Sequence, residues 1–125
     1  MANILKLSET VSSVAVSGGS AACNYNNSAI FFITGQTANF TLALSNLTPV
    51  ANKTYSVTLL ISSASSKFYA NAMTINGTST TFVYNGGLSS VSVSSATYII
   101  QQFNIIYTAS TSAPAFTISS IGQAF

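Results

Sequence analysis

The sequence predicts an all-β fold, an antiparallel β-sandwich or jelly-roll-like domain of eight to nine short strands. Three observations carry this expectation. Apolar residues recur with a period of two, the pattern of strands with one covered face. Ser, Thr, Asn and β-branched residues dominate, while strong helix formers such as Glu, Lys and Arg are nearly absent. Gly, Pro and Asn-Gly signals fall between the apolar runs at spacings that suit short strands. A chain of 125 residues fits one domain. Surface scaling leaves about 6,300 Å² exposed out of about 18,700 Å² in the unfolded chain, enough burial for one core.

Residues 1–10 read as an N-terminal docking arm or an edge strand. Ile4, Leu5 and Leu7 surround Lys6, and Glu9 follows. Half of the chain's charged residues sit here, which suits pairing with charges on a partner. A lysine also blunts an edge strand against aggregation. Residues 11–125 read as a single β-sandwich domain.

Val11–Val16 is the first strand of that domain. Gly18-Gly19 opens a longer loop through Asn24-Tyr25-Asn26-Asn27. Ile30–Thr34 is the next strand. Phe40, Leu42 and Leu44 then alternate with Thr41, Ala43 and Ser45. Pro49 lies in the connection from Asn46 to Lys53. Tyr55, Val57, Leu59 and Ile61 alternate with Ser56, Thr58, Leu60 and Ser62. Phe68–Ile75 and Thr78–Tyr84 flank Asn76-Gly77, a strong hairpin signal for a type I′ turn. Asn85-Gly86-Gly87 closes that strand, and Ser90–Val93 is a further short one.

Thr97–Tyr107 is the longest candidate strand. One face carries Ile99, Gln101, Phe103, Ile105 and Tyr107, and the other Tyr98, Ile100, Gln102, Asn104 and Ile106. Both faces are largely apolar, so a central strand covered on both sides is expected. Pro114 precedes a last strand, Ala115–Ile121.

Composition excludes more than it selects. Lys6, Glu9, Lys53 and Lys67 are the only charged residues, against 22 Ser, 15 Thr, 11 Asn and 4 Gln. Mean hydropathy is +0.49, so a packed core is expected and not disorder. A net charge of +2 is too weak and scattered for nucleic acid, whose phosphates dominate affinity. Without His or Asp, a Ser-His-Asp triad and a glycosidase carboxylate pair cannot be built. One Cys and one Glu cannot make a zinc site. No enzyme activity, cofactor or metal is therefore expected.

Cys23 has no partner for an intrachain disulfide and no cation nearby in sequence to activate it. It reads as a small, partly buried side chain. The start, Met1 to Leu7, lacks the basic and long apolar regions of a secretory leader. No run approaches 18 apolar residues, so no membrane helix is expected. Five Asn-x-Ser/Thr triplets, at Asn26, Asn39, Asn46, Asn52 and Asn76, are close to what 37 Ser and Thr residues give by chance. Of six Tyr, Tyr25 in its Asn-rich loop is the best candidate for a ring that stacks on a sugar, with Asn26 beside it.

From Lys53 onward the chain resembles small β-modules of virion proteins of tailed phages, particularly marine ones. The resemblance rests on an ordered series of segments. These are Tyr55-Ser56-Val57-Thr58-Leu59-Leu60-Ile61, Phe68-Tyr69-Ala70-Asn71-Ala72, Ile75-Asn76-Gly77-Thr78, Tyr84-Asn85-Gly86-Gly87, Gln102-Phe103-Asn104-Ile105 and the closing Ile121-Gly122-Gln123-Ala124-Phe125. It implies a structural role with no catalytic residue: a capsid decoration (cement) protein on the outer capsid surface of the virion. Such a protein binds the major capsid protein, as a homo-oligomer and most simply a trimer, with Ile4, Lys6 and Glu9 helping it dock. The alternative is a tail-fibre or receptor-binding module touching host glycan through Tyr25 and Asn26. A non-viral, self-assembling surface-layer or adhesive β-protein is a third reading.

Overall fold

A computed structural model describes residues 9–62, 68–84, 98–108 and 116–124. Ten strands and no helix occur among them. They are β1 (Val11–Ala15), β2 (Ser20–Asn24), β3 (Ile30–Thr34), β4 (Phe40–Ser45), β5 (Lys53–Ser62), β6 (Ala70–Ile75), β7 (Thr78–Thr80), β8 (Val83–Tyr84), β9 (Tyr98–Tyr107) and β10 (Phe116–Ala124). A six-stranded sheet has the order β1-β3-β5-β9-β10-β8, and a four-stranded sheet the order β2-β4-β6-β7.

Both sheets are mixed, where the sequence had suggested antiparallel pairing throughout. From β1 to β6 the chain alternates between the two sheets. Each strand therefore lies parallel to the one two places earlier: β1 with β3, β3 with β5, β2 with β4 and β4 with β6. Parallel neighbours need a long crossover. Here a strand of the other sheet supplies it, so the first six strands wind as a three-turn coil. The turns lengthen along it: Val11 lies beside Ile30, but Ile30 lies beside Thr58. The later pairs, β5 with β9, β9 with β10 and β6 with β7, are antiparallel.

Local sequence explains the corners. Asn76 and Gly77 both have positive φ, 51° and 83°, as a type I′ turn requires. Asn46 and Asn52 also take positive φ, a region that asparagine tolerates better than other side-chain-bearing residues. Asparagines mark the same corner in all three turns of the coil. The Asn46 amide donates to Asn24 Oδ1 (2.9 Å), and the Asn76 side chain accepts from the Leu47 N–H (3.2 Å) and donates to its carbonyl (2.7 Å).

One core serves both sheets. Phe31, Ile33, Val57, Leu59, Ile61, Ile99, Phe103, Ile105 and Ile118 come from the larger sheet. Ala21, Cys23, Phe40, Leu42, Leu44, Ala70, Met73 and Ile75 come from the smaller. A buried polar bridge ties them. Gln101 of β9 accepts from the Ala70 N–H of β6 (3.0 Å), donates back to the Ala70 carbonyl (2.9 Å) and donates to Ser120 Oγ of β10 (3.2 Å). Ala70 sits at a register shift: Phe40 lies beside Ala70 but Thr41 beside Ala72, so Asn71 is the extra residue of a bulge.

Several expectations need correcting. The segment read as a loop after Gly18-Gly19 contains β2, whose small residues gave little apolar alternation. Thr78–Tyr84 is not one strand but two short ones in different sheets. β9 is central, between β5 and β10, but only its Ile99–Gln101–Phe103–Ile105 face is buried; Tyr98 and Ile106 on the other face are exposed. Ser90–Val93, Ile4 and Lys6 lie outside the described residues.

Candidate functional site

The outer face of β5, β9 and β10 follows directly from the alternation. Once Gln101, Phe103 and Ile105 point inward, Gln102, Asn104 and Ile106 must point out. Register then sets their neighbours. Asn104 lies between Ser56 and Ser119, and Gln102 between Thr58 and Ile121. These residues line a shallow depression of about 370 Å³. The Thr54 hydroxyl donates to Asn104 Oδ1 (3.0 Å), which leaves the Asn104 amide hydrogens directed elsewhere.

Apolar residues surround this polar centre. Val83 is 68% exposed, Ile121 51%, Ile106 40% and Tyr98 37%. Val83 belongs to the same face, because its register partner Ser119 points outward. Val11 of β1, 52% exposed, lies on this face too, in register through Ile30 and Thr58 with Gln102, so five of the six large exposed hydrophobics among the described residues share one sheet face. No described residue of that face is charged. The surface offers amide and hydroxyl hydrogen bonds and apolar area, and nothing that would repel a partner of either sign.

A second depression, of about 310 Å³, gathers the described residues singled out from sequence. Glu9, Thr10, Tyr25, Asn26, Asn27, Ser28 and Ala29 line it. Sequence reasoning assigned Glu9 to docking and Tyr25 with Asn26 to glycan contact; the fold puts all three in one place. The loop is held tightly. Asn26 N–H donates to Asn24 Oδ1 (3.0 Å), and Asn27 N–H to the Asn24 carbonyl (3.0 Å). Ser28 Oγ accepts from the Ile30 N–H (3.0 Å) and its one proton faces the carbonyls of Ile30 and Thr10, which anchors the start of β1 to this loop.

Tyr25 is half-buried and not the freely exposed ring the sequence suggested. It packs edge-to-face on Tyr55 with centroids 6.2 Å apart, and Tyr55 Oη accepts from the Val50 N–H (2.7 Å). Burial pushes the Tyr25 phenol above its usual pKa, and Tyr55 and Glu9 push it the same way. It therefore stays neutral and keeps its hydroxyl as both donor and acceptor.

Cys23 is fully buried in β2, and burial pushes its thiol up to about 12. It is an apolar core residue. No group of three or more His, Cys, Asp or Glu residues that could hold a metal ion occurs among the described residues. Sequence reasoning missed the outer sheet face because it assigned both faces of β9 to the interior. The signal was present in Gln102 and Asn104, two amides in the middle of the less apolar face. No family model, no curated protein and no solved structure matches the chain.

Proposed function

We propose that the protein is a structural virion component, a capsid decoration (cement) protein that docks on the major capsid protein at the outer capsid surface and acts by binding, not catalysis. The observation that carries this reading is the uncharged outer face of the six-stranded sheet, with Val83, Tyr98, Ile106 and Ile121 exposed around Gln102 and Asn104. Exposed apolar area of this kind marks an interaction surface. The finer architecture we propose is a sandwich of the two sheets wound as a coil, more than a jelly roll, with residues 1–10 as an arm beside it.

Docking would then rest on buried apolar area and backbone or amide hydrogen bonds, so release from particles should depend little on salt. Quantitative mass spectrometry of purified virions tests the reading. A ratio near one chain per capsid subunit, or one trimer per local three-fold, supports it. A few copies per particle favours a tail fibre, and absence from the particle overturns both.

One observation favours the tail-fibre reading: Glu9, Tyr25 and Asn26 line one depression, a combination of carboxylate, phenol and amide that suits sugar hydroxyls. Glycan-array binding that Tyr25→Ala abolishes would establish it, and a blank array would remove it.

A further inference from the structure

The four sheet edges differ in kind. At one end of the sheets the edge strands are β8, of two residues, and β7, of three. Such short edges offer little to pair with. At the other end the edges are β1 and β2, of five residues each. Their sequences, Val-Ser-Ser-Val-Ala and Ser-Ala-Ala-Cys-Asn, contain no charge and no proline. Their ladders to β3 and β4 run without a register shift, so no bulge turns them away. Among the described residues, the usual protections of an edge strand are missing at this end.

The core is also unfinished there. Ser12 and Val14 of β1 point inward beside Phe31 and Ile33 of β3. Phe31 and Ile33 are fully buried, while Ser12 and Val14 remain half-buried. No described strand covers β1 or β2 on its far side.

Both open edges belong to one turn of the coil, because β2 follows β1 through the turn at Val16–Gly19. An extended peptide could add to one sheet only. A partner that satisfies both must present two uncharged strands a sheet spacing apart, about 10 Å. The chain itself presents such a pair. We propose that a second copy of this chain joins at the first turn of the coil by strand addition on both sheets. A two-fold axis normal to the sheets sets β1 antiparallel to the second copy's β1, and β2 antiparallel to its β2. The contact is self-complementary and closes at two chains.

The area sets the strength. Strands of about 17 Å on sheets about 10 Å apart present a few hundred Å² per chain, below the roughly 800 Å² per partner of a standard interface. The pair is therefore expected to be a weak one, with a dissociation constant of about micromolar or above. It does not depend on the docking role of the outer sheet face.

Sedimentation velocity on the full chain, from low micromolar to near-millimolar concentration, tests the proposal. The mass should rise from 12.9 kDa toward that of two chains. Ser13 and Ala22 are exposed at the centres of β1 and β2. Ser13→Lys with Ala22→Lys should weaken the pair about tenfold or more by setting like charges opposite each other. Circular dichroism checks that the variant folds. Ser13→Cys, nearly isosteric, should give a disulfide-linked dimer on oxidation, while Thr117→Cys on the outer face of β10 should not. A constant single-chain mass, a dimer indifferent to both lysines, or a Ser13→Cys chain that cross-links no better than the parent would overturn the pairing. A mass of three chains would do so too and would restore the expected trimer.

Discussion

The coil of β1–β6 and the hairpin half of β7–β10 are built from similar residues but join them differently. In the coil, neighbours in a sheet are two strands apart in sequence and parallel. In the hairpin half the extended strands are antiparallel: β9 against β5 and β10, and β7 against β6. Among the described residues, the coil leaves two five-residue edges at its first turn, and the hairpin half ends in shorter ones. The difference teaches that period-two alternation reports which face is covered and says nothing about strand direction. Direction is set by the corners, and long-range pairing is set by how the two sheets share a core.

The largest effects should come from the middle of the coil. Leu42 is fully buried in β4, between β2 and β6. Leu42→Ala should cost about 2–5 kcal/mol in urea unfolding, through lost burial and a cavity. Val14→Ala in the first turn, already half-buried, should cost only about 1 kcal/mol. Equal losses at the two positions would mean that the first turn is as closed as the second.

Next comes the joint between the sheets. Gln101→Leu removes an amide that bonds both backbone groups of Ala70 and the Ser120 hydroxyl. A loss of about 2–4 kcal/mol is expected, since each stranded buried group costs about 1–3 kcal/mol. A neutral result would show that the bulge at Asn71 relaxes without the bridge.

The corners should rank below that. Asn76→Ala loses two hydrogen bonds to Leu47 and places alanine at positive φ, for about 2 kcal/mol. Asn24→Ala, at the first turn, should cost about 1 kcal/mol. The Asn76-Gly77 turn was legible in the sequence because its chemistry is local, as was the alternation of β4 and β5; β3 and β9 were legible as strands, but apolar residues on both faces hid which face of β9 is buried. β2 was not legible, because Ala21 and Cys23 are too small to mark an apolar face against Ala22. The parallel winding was not legible either, since nothing local distinguishes a crossover through a second sheet from a hairpin. Of the candidate site, the Tyr25 and Asn26 loop was readable from its turn chemistry. Its meeting with Glu9 needed the anchor from Ser28 to the start of β1.

Titration should separate the core of the coil from its surface. The Cys23 thiol lies at about 12 in the folded chain, against an ordinary value of 9.0. The fold thus favours the protonated thiol. That contribution is complete below about pH 9, where the unfolded chain is also protonated, and is lost as pH rises toward 12. Tyr25 and Tyr84, raised mainly by burial, act in the same direction above the usual tyrosine range. The urea midpoint should therefore drop as pH is raised from about 8 to about 11. Native Cys23 should be silent to a thiol reagent at about pH 8 and react once urea unfolds the chain. Fast reaction in the native state would mean that β2 opens readily at its free edge.

The smallest effect on stability should come from the outer sheet face, and there the comparison turns toward function. Ile121 is half-exposed beside Gln102, on the hairpin half, in a strand separated from β1 by β3, β5 and β9. Ile121→Lys removes no core contact, so its unfolding free energy should stay within about 0.5 kcal/mol of the parent. The same substitution puts a desolvation cost on any partner seated over the depression. If the outer face docks on a capsid, the variant should fold normally, keep any pairing through the first turn of the coil, and fail to bind particles. Binding that survives Ile121→Lys and Ile106→Lys together would move the docking surface to the cleft of Glu9 and Tyr25, where Tyr25→Ala should then remove it.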